Sequence, residues 1–190
     1  KQLIDRFDLQ GQFPQVYETG IKEIWRVKPE KHKPGRVIHG SLFPDFLSQF
    51  NGMWLYDMKD NLVSFGFVTM LDSKNPFNDP HLEAQKFKTT PFMRDLLDGA
   101  ELVRYGAKAL PEGGWNTQPT LYADGALIAG DAANFVNSMR LKGIHLAMRT
   151  GMLAGETAFD AVRAGDVTAA KLSSYQAAID ASPIRKEMYP

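Results

Sequence analysis

The spacing of apolar residues changes period partway along the chain, and that change limits the folds open to it. Over residues 16–109, aromatic and branched side chains are broken at short intervals by Pro and Gly. Segment 21–27, Ile-Lys-Glu-Ile-Trp-Arg-Val, alternates apolar and polar positions in the manner of a strand with one wet face. Segments 37–43, 53–58, 62–71 and 101–107 read as further strands, and Asp57-Met58-Lys59-Asp60-Asn61 carries the charge and Asn of a hairpin turn. Consecutive strands joined by short turns predict an antiparallel sheet. Short helices are predicted over 80–88, with Asp79 as N-cap and Pro80 at the first position, and over 91–97. Residues 1–7 read as the end of a helix. In the second part a short buried strand over 126–129 runs into Gly130-Asp131, and a long helix follows over 143–164. Gly165-Asp166 closes that helix, and a last one is predicted over 168–181. The expected fold class is α+β, divided into a sheet domain over 1–118 and a strand–helix segment over 119–190.

Composition excludes several kinds of chemistry. Lys plus Arg equals Asp plus Glu at 22 each, and no basic run occurs, so the chain has no electrostatic footprint for nucleic acid. The absence of Cys rules out disulfides, thiolate zinc sites, cysteine nucleophiles and an iron–sulfur cluster held by these residues. His32, His81 and His145 follow no metal-ligand spacing. There is no Gly-x-Ser-x-Gly elbow, no carboxylate pair arranged for hydrolysis and no Gly-x-Gly-x-x-Gly fingerprint. No apolar run reaches the roughly 20 residues that a membrane-spanning helix needs. The sequence opens at Lys1 rather than Met and closes on Glu187-Met188-Tyr189-Pro190, so it is expected to be part of a longer polypeptide.

The stretch that carries chemistry is Leu127-Ile128-Ala129-Gly130-Asp131-Ala132-Ala133-Asn134. A glycine after a strand lets another group approach the backbone. A carboxylate at a strand end accepts hydrogen bonds from ligand hydroxyls, and the free amides of the next helix suit a partial negative charge. A polyol joined to a carbonyl edge describes the ribityl chain and pyrimidine edge of a flavin. The same residues also build an ordinary turn ahead of a capped helix, and the residues alone leave both readings open. Along the long helix, Ile144, Met148, Met152, Gly155, Phe159 and Val162 share one face, with Gly143, Ala147, Gly151 and Ala154 as further small residues. An interior glycine costs about 1 kcal/mol relative to alanine. Gly151 and Gly155 therefore predict an element packed closely on this helix, and Gly143, at its start, is the better cofactor contact.

Gly130-Asp131-Ala132-Ala133, followed by Lys142-Gly143-Ile144-His145-Leu146-Ala147-Met148-Arg149-Thr150-Gly151, resembles the second FAD-contacting motif of one flavoprotein group. That group contains the geranylgeranyl reductases and the electron-transfer-flavoprotein:ubiquinone oxidoreductases. Gly20-Ile21-Lys22-Glu23-Ile24-Trp25, Lys33-Pro34-Gly35-Arg36-Val37, Gly66-Phe67-Val68 and Tyr105-Gly106-Ala107-Lys108-Ala109-Leu110-Pro111-Glu112-Gly113-Gly114 are similar, in order and spacing, to the ubiquinone oxidoreductases. The similarity runs over nearly the whole chain.

The resemblance implies an antiparallel quinone- or substrate-binding domain followed by the strand–helix return segment of a Rossmann-like FAD domain. It places Gly130 and Asp131 at the ribityl chain. Lys142, Gly143 and Ile144 fall at the pyrimidine edge, Asn137 near the isoalloxazine, and Gly52 and Met53 beside the quinone headgroup. His39, Trp54 and Tyr56 are either neighbours of that pocket or ordinary strand residues. The implied activity passes electrons from reduced electron-transfer flavoprotein through FAD to a membrane quinone. A flavin-dependent reductase of isoprenoid double bonds and a non-catalytic binding module are the alternatives. FAD would be shared with a preceding segment and a [4Fe–4S] cluster carried by a following one. Attachment would be peripheral, on the cytoplasmic side of a bacterial inner membrane or on the mitochondrial inner membrane of a eukaryote. Pro44-Asp45-Phe46-Leu47, Phe50, Phe92, Met93, Leu96 and Leu97 are the candidate apolar patch for it. Met53, Ile144 and Met139 depart from the glycine, threonine and proline usual in the family. Without the unit that receives the pyrophosphate, a sheet edge and an apolar helix face should lie exposed.

Overall fold

A computed structural model of the protein describes residues 1–41, 51–138, 140 and 142–189. In chain order its elements are α1 (Gln2–Arg6), β1 (Tyr17–Arg26), β2 (Val37–Gly40), β3 (Asn51–Asp57), β4 (Leu62–Met70), α2 (Pro80–Lys88), α3 (Pro91–Leu97) and β5 (Glu101–Pro111). They continue with β6 (Tyr122–Ala123), β7 (Ala126–Leu127), α4 (Ile144–Ala164), α5 (Ala169–Leu172), α6 (Ser174–Asp180) and α7 (Pro183–Met188). Two units separate by their contacts: Glu18–Ala109, and Lys1–Tyr17 together with Leu110–Pro190.

In the first of these units the strands form a five-stranded sheet in the order β2-β3-β4-β1-β5. The pairs β2–β3, β3–β4 and β4–β1 are antiparallel; a short turn joins β3 to β4, whereas β1 reaches β4 as a neighbour distant in sequence. Register sets Met53 beside Phe67 and Phe67 beside Ile21, and Leu55 beside Phe65. With Val63 this row is buried against Ala84 of α2 and Met93 and Leu96 of α3; each such large side chain contributes about 1.5–3 kcal/mol. Of the buried carboxylates on this face, Glu23 is fully engaged. Lys88 Nζ donates to it at 2.8 and 3.0 Å and the Trp25 indole at 2.7 Å. Removing one partner from such a buried pair leaves an uncompensated charge and is strongly destabilising.

The turn between β3 and β4 forms as its residues predict. Asp60 and Asn61 both take positive φ, 61° and 55°, and the Leu62 amide donates to Lys59 O at 3.2 Å, the geometry whose twist matches the strands. Helices α2 and α3 occupy the predicted spans, and Asp79 caps α2 by accepting from the amides of His81 and Leu82. The predicted strand over 37–43 is described as β2, and its last two residues lie outside the described residues.

In the second unit Ile4 and Leu9 join Leu121, Ile128, Phe135, Leu146, Leu153, Tyr175, Ile179 and Ile184 in one core. The Thr120 amide donates to Leu9 O at 2.8 Å, and Glu112 to Val16 O at 2.9 Å. The opening residues therefore belong with the C-terminal half, and the contact boundary falls at 109/110 rather than at 118/119. An α1 of five residues has no predictive weight by itself; only its long-range packing reveals where it belongs. The strand expected over 126–129 is only Ala126–Leu127, paired antiparallel with β6. The helix expected over 168–181 breaks at Ser173 into α5 and α6.

Helix α4 has two contrasting sides. Leu146, Thr150, Leu153, Thr157 and Ala161 are buried. Ile144, Met148, Phe159 and Val162 are 81%, 66%, 60% and 70% exposed. The close partner expected for Gly151 and Gly155 is not among the described residues. Among the described residues nothing lies within 4 Å of where a Cβ would stand at either glycine.

Candidate functional site

Asp131 and Gly143 are separated in sequence by the loop that leads into α4, and the fold returns them to one place. Gly130 takes φ 63° and opens a single 3-10 turn over Gly130–Ala133. A side chain there would meet Ala147 Cβ at 3.3 Å, so the strand end rests directly on α4. Thr150 fixes that approach: its hydroxyl accepts from the Gly130 amide at 3.0 Å and donates to Leu146 O at 2.8 Å. Asp131 is exposed. Its Oδ1 lies 3.8 Å from where a Cβ would stand on Gly143, with Val136 Cγ2 at 3.3 Å and Phe135 O at 3.7 Å on the same position. Bare backbone is thus held beside a carboxylate at the mouth of the helix.

The start of α4 offers the complementary groups. Gly143 is its N-cap and provides no side-chain cap to the first-turn amides, which have no acceptor within the helix itself. A donor set at the positive end of a helix, with an accepting carboxylate alongside, can bind a hydroxyl-bearing chain joined to a carbonyl. Asn134 adds a further feature. It takes φ 60°, is fully buried, and its Nδ2 donates to Thr117 O and Oγ1 at 2.7 and 2.6 Å. Among the described residues its Oδ1 has no donor. An orphaned buried acceptor beside this turn is the kind of group a ligand or bound water satisfies. It was not read from the sequence, because only the left-handed backbone turns it inward.

The other residues at this end are placed as follows. Asn137 and Lys142 form an isolated antiparallel bridge, with N–H···O distances of 2.8 and 3.2 Å. The Asn137 side chain is committed within the protein: Oδ1 accepts from the Arg140 amide at 3.2 Å and Nδ2 donates to Glu187 Oε1 at 3.3 Å. Ile144 presents an exposed apolar side chain at the first helical position. Met139 lies outside the described residues. His145, on the same first turn, donates through Nε2 to both Glu187 oxygens at 2.9 and 3.0 Å. This hydrogen bond holds the Glu187 carboxyl below its usual range. Sequence reading missed the pair because α7 was not predicted. Ser182 before Pro183 is the signal that could have found it, and Ser182 Oγ does accept from the Ile184 amide.

In the sheet unit Gly52 and Met53 do not share a face. Met53 is buried among Phe67, Leu55 and the helices, with its Sδ beside Gly40. Gly52 points the opposite way, with Trp54 and Tyr56, as alternation demands. On that side the Tyr56 hydroxyl and His39 Nε2 are 2.9 Å apart. The Trp54 indole lies over Gly66, where any Cβ would collide with it. Of the candidate membrane patch, Met93 and Leu96 are core residues and Phe92 is exposed, while Pro44, Asp45, Phe46, Leu47 and Phe50 lie outside the described residues. Among the described residues no helix is long and apolar enough to cross a membrane.

Residues 17–110 match the family model described as "ETF-QO, ubiquinone-binding". The chain is 38% identical over its full length to a probable electron transfer flavoprotein-ubiquinone oxidoreductase of Acinetobacter baylyi, covering 36% of that protein. It is 42% identical, over 86% of its length, to the mitochondrial electron transfer flavoprotein-ubiquinone oxidoreductase of Caenorhabditis elegans, covering 28% of it. The chain thus spans about a third of the length of these relatives. Among solved structures, a geranylgeranyl bacteriochlorophyll reductase-like protein of Thermoplasma acidophilum aligns with 92% of the chain and 40% of its own at a TM-score of 0.62 and 12% identity. A flavin-dependent brominase aligns with 92% of the chain and 44% of its own at 0.59 and 16% identity. These two likenesses give the fold alone. By the match over 17–110 and by relatives aligned along its whole length, the chain belongs to the electron-transfer-flavoprotein–ubiquinone oxidoreductase family.

Proposed function

We propose that this chain supplies the quinone-binding domain and the FAD-completing segment of an oxidoreductase that passes electrons from reduced electron-transfer flavoprotein to a membrane quinone. The observation that carries this reading is the return of Asp131 to the uncapped glycine that opens α4. Bound there, FAD would supply reversible two-electron redox chemistry. Asp131 would accept from the ribityl hydroxyls. The amides of the first turn of α4, at its positive end, would face the pyrimidine edge. Lys142 and Asn137 shape the hairpin that closes this end, and Asn137 acts through that hairpin since its amide is already engaged.

For the quinone, the face that bears Gly52, Trp54, Tyr56 and His39 is the better candidate than the core side occupied by Met53. A flat headgroup suits bare backbone at Gly52 flanked by aromatic side chains. With no cysteine in the chain, a [4Fe–4S] cluster would be held by other parts of the polypeptide. Peripheral attachment to the membrane holding the quinone completes the proposal.

The test is quinone reduction by the full-length gene product, driven by reduced electron-transfer flavoprotein and followed at the quinone absorbance. Turnover that requires both reactants is expected. Flavin oxidation by a geranylgeranyl substrate in place of a quinone would transfer the chain to the isoprenoid reductases.

A further inference from the structure

Helix α7 ends against the first turn of α4, and one carboxylate makes that contact. Glu187 receives His145 Nε2 on both oxygens, at 2.9 and 3.0 Å, and Asn137 Nδ2 on Oε1 at 3.3 Å. His145 is the second residue of α4. Asn137 is the first residue of the hairpin that leads into α4, closed by its backbone bridge to Lys142. A single side chain therefore holds the hairpin at one end and the helix at the other. The contact is partly screened: the side chain of Glu187 is 25% exposed and that of His145 53%. Both elements that it joins carry cationic residues. Arg140 belongs to the hairpin and is among the causes that hold the Glu187 carboxyl low. Lys142 lies in the same hairpin, and Arg185 and Lys186 lie on α7 itself.

Two consequences follow from the chemistry. Amides at a helix N-terminus carry a partial positive charge that stabilises electron gain by a group bound beside them. A carboxylate held on that same turn offsets part of this charge. The hairpin, meanwhile, fixes where those amides point. We infer that Glu187 is a positioning residue for the cofactor site, holding the 137–142 hairpin against α4, and that its negative charge keeps the potential of a flavin bound there lower than the helix end alone would set it. This inference rests on the FAD reading of the site. The recurring flavin motif does not include Glu187, which lies outside it in sequence and reaches the site only because α7 folds back.

The experiment compares the FAD dissociation constant and the FAD midpoint potential of the full-length gene product with those of Glu187→Gln, Glu187→Asp and His145→Gln. Glu187→Gln keeps the size of the side chain and removes its charge. It is expected to shift the potential to more positive values and to weaken FAD binding about three- to fivefold, the scale of a partly exposed ion pair. Glu187→Asp, which keeps the charge, should stay near the wild-type potential. An unshifted potential in Glu187→Gln overturns the inference, whether or not FAD is held less tightly, because a merely structural contact loosens the cofactor without moving its potential. If Glu187→Gln does not fold, His145→Gln decides: FAD affinity lowered by a similar factor supports the clamp, and unchanged affinity overturns it. A wild-type protein that binds no FAD defeats the function proposed above instead, so the two failures are told apart.

Discussion

A one-residue step along β3 carries a side chain from one face of the sheet to the other, and Gly52 and Met53 stand on either side of that step. Met53 pairs with Phe67 and is 7% exposed, so its side chain fills the core and stays clear of the face of Gly52. Met53→Gly removes a buried side chain and adds backbone freedom. It is expected to cost about 2–5 kcal/mol, read as a lower urea midpoint, and an unchanged midpoint would contradict the placement of Met53 in the core. Gly130 is constrained by its backbone. With φ at 63° and Ala147 in contact range, Gly130→Ala should cost about 1–2 kcal/mol from the left-handed conformation alone. Equal thermal stability of wild type and variant would count against that geometry.

The elements were legible where one local rule decides them. Asp79-Pro80 started α2, paired left-handed residues made the β3–β4 turn, and Gly165 ended α4 in a left-handed cap at φ 68°. They were not legible where distant packing decides. The sequence over 168–181 has no Gly or Pro to announce the break at Ser173, which comes where Leu172 and Tyr175 both reach the core. The burial of Tyr175 is itself testable. Its hydroxyl donates to Thr150 O at 3.2 Å between α6 and α4, and burial pushes its pKa up to about 12. An acid whose folded pKa lies above the ordinary value near 10 stays neutral in the native state while the unfolded chain ionises. Stability from this group is therefore complete below about pH 10 and falls by on the order of 2–3 kcal/mol as pH rises towards about 12. Denaturation midpoints across that range should show the loss, and Tyr175→Phe should reduce it; a loss of equal size in both would assign it elsewhere.

For the whole molecule, the exposed stripe of Ile144, Met148, Met152, Phe159 and Val162 follows the same helix whose other side builds the core. The spacing of these residues was plain in the sequence, yet periodicity alone could not say which of two apolar faces packs within the chain. A stripe of this kind favours association. The 190-residue chain by itself should therefore self-associate, and Phe159→Glu should reduce the mass seen by light scattering; a monomeric wild-type chain would contradict this. The candidate site was half legible in the same sense. Asp131 and Gly143 stood in a recognisable motif, whereas the orphaned Asn134 Oδ1 and the Glu187 clamp depend on backbone turns and on α7. Everything assigned to this end rests on one claim, that FAD is held between Asp131 and the start of α4. The measurement that reaches it most directly is the absorbance spectrum and released-flavin content of the purified full-length gene product, beside its Asp131→Ala variant. The account predicts about one FAD per chain in the wild type, and roughly ten- to a hundredfold weaker FAD binding in the variant, the scale of one lost charge-assisted hydrogen bond. A colourless wild-type protein that refuses added FAD, or a variant that keeps its flavin through gel filtration as well as the wild type does, would contradict it.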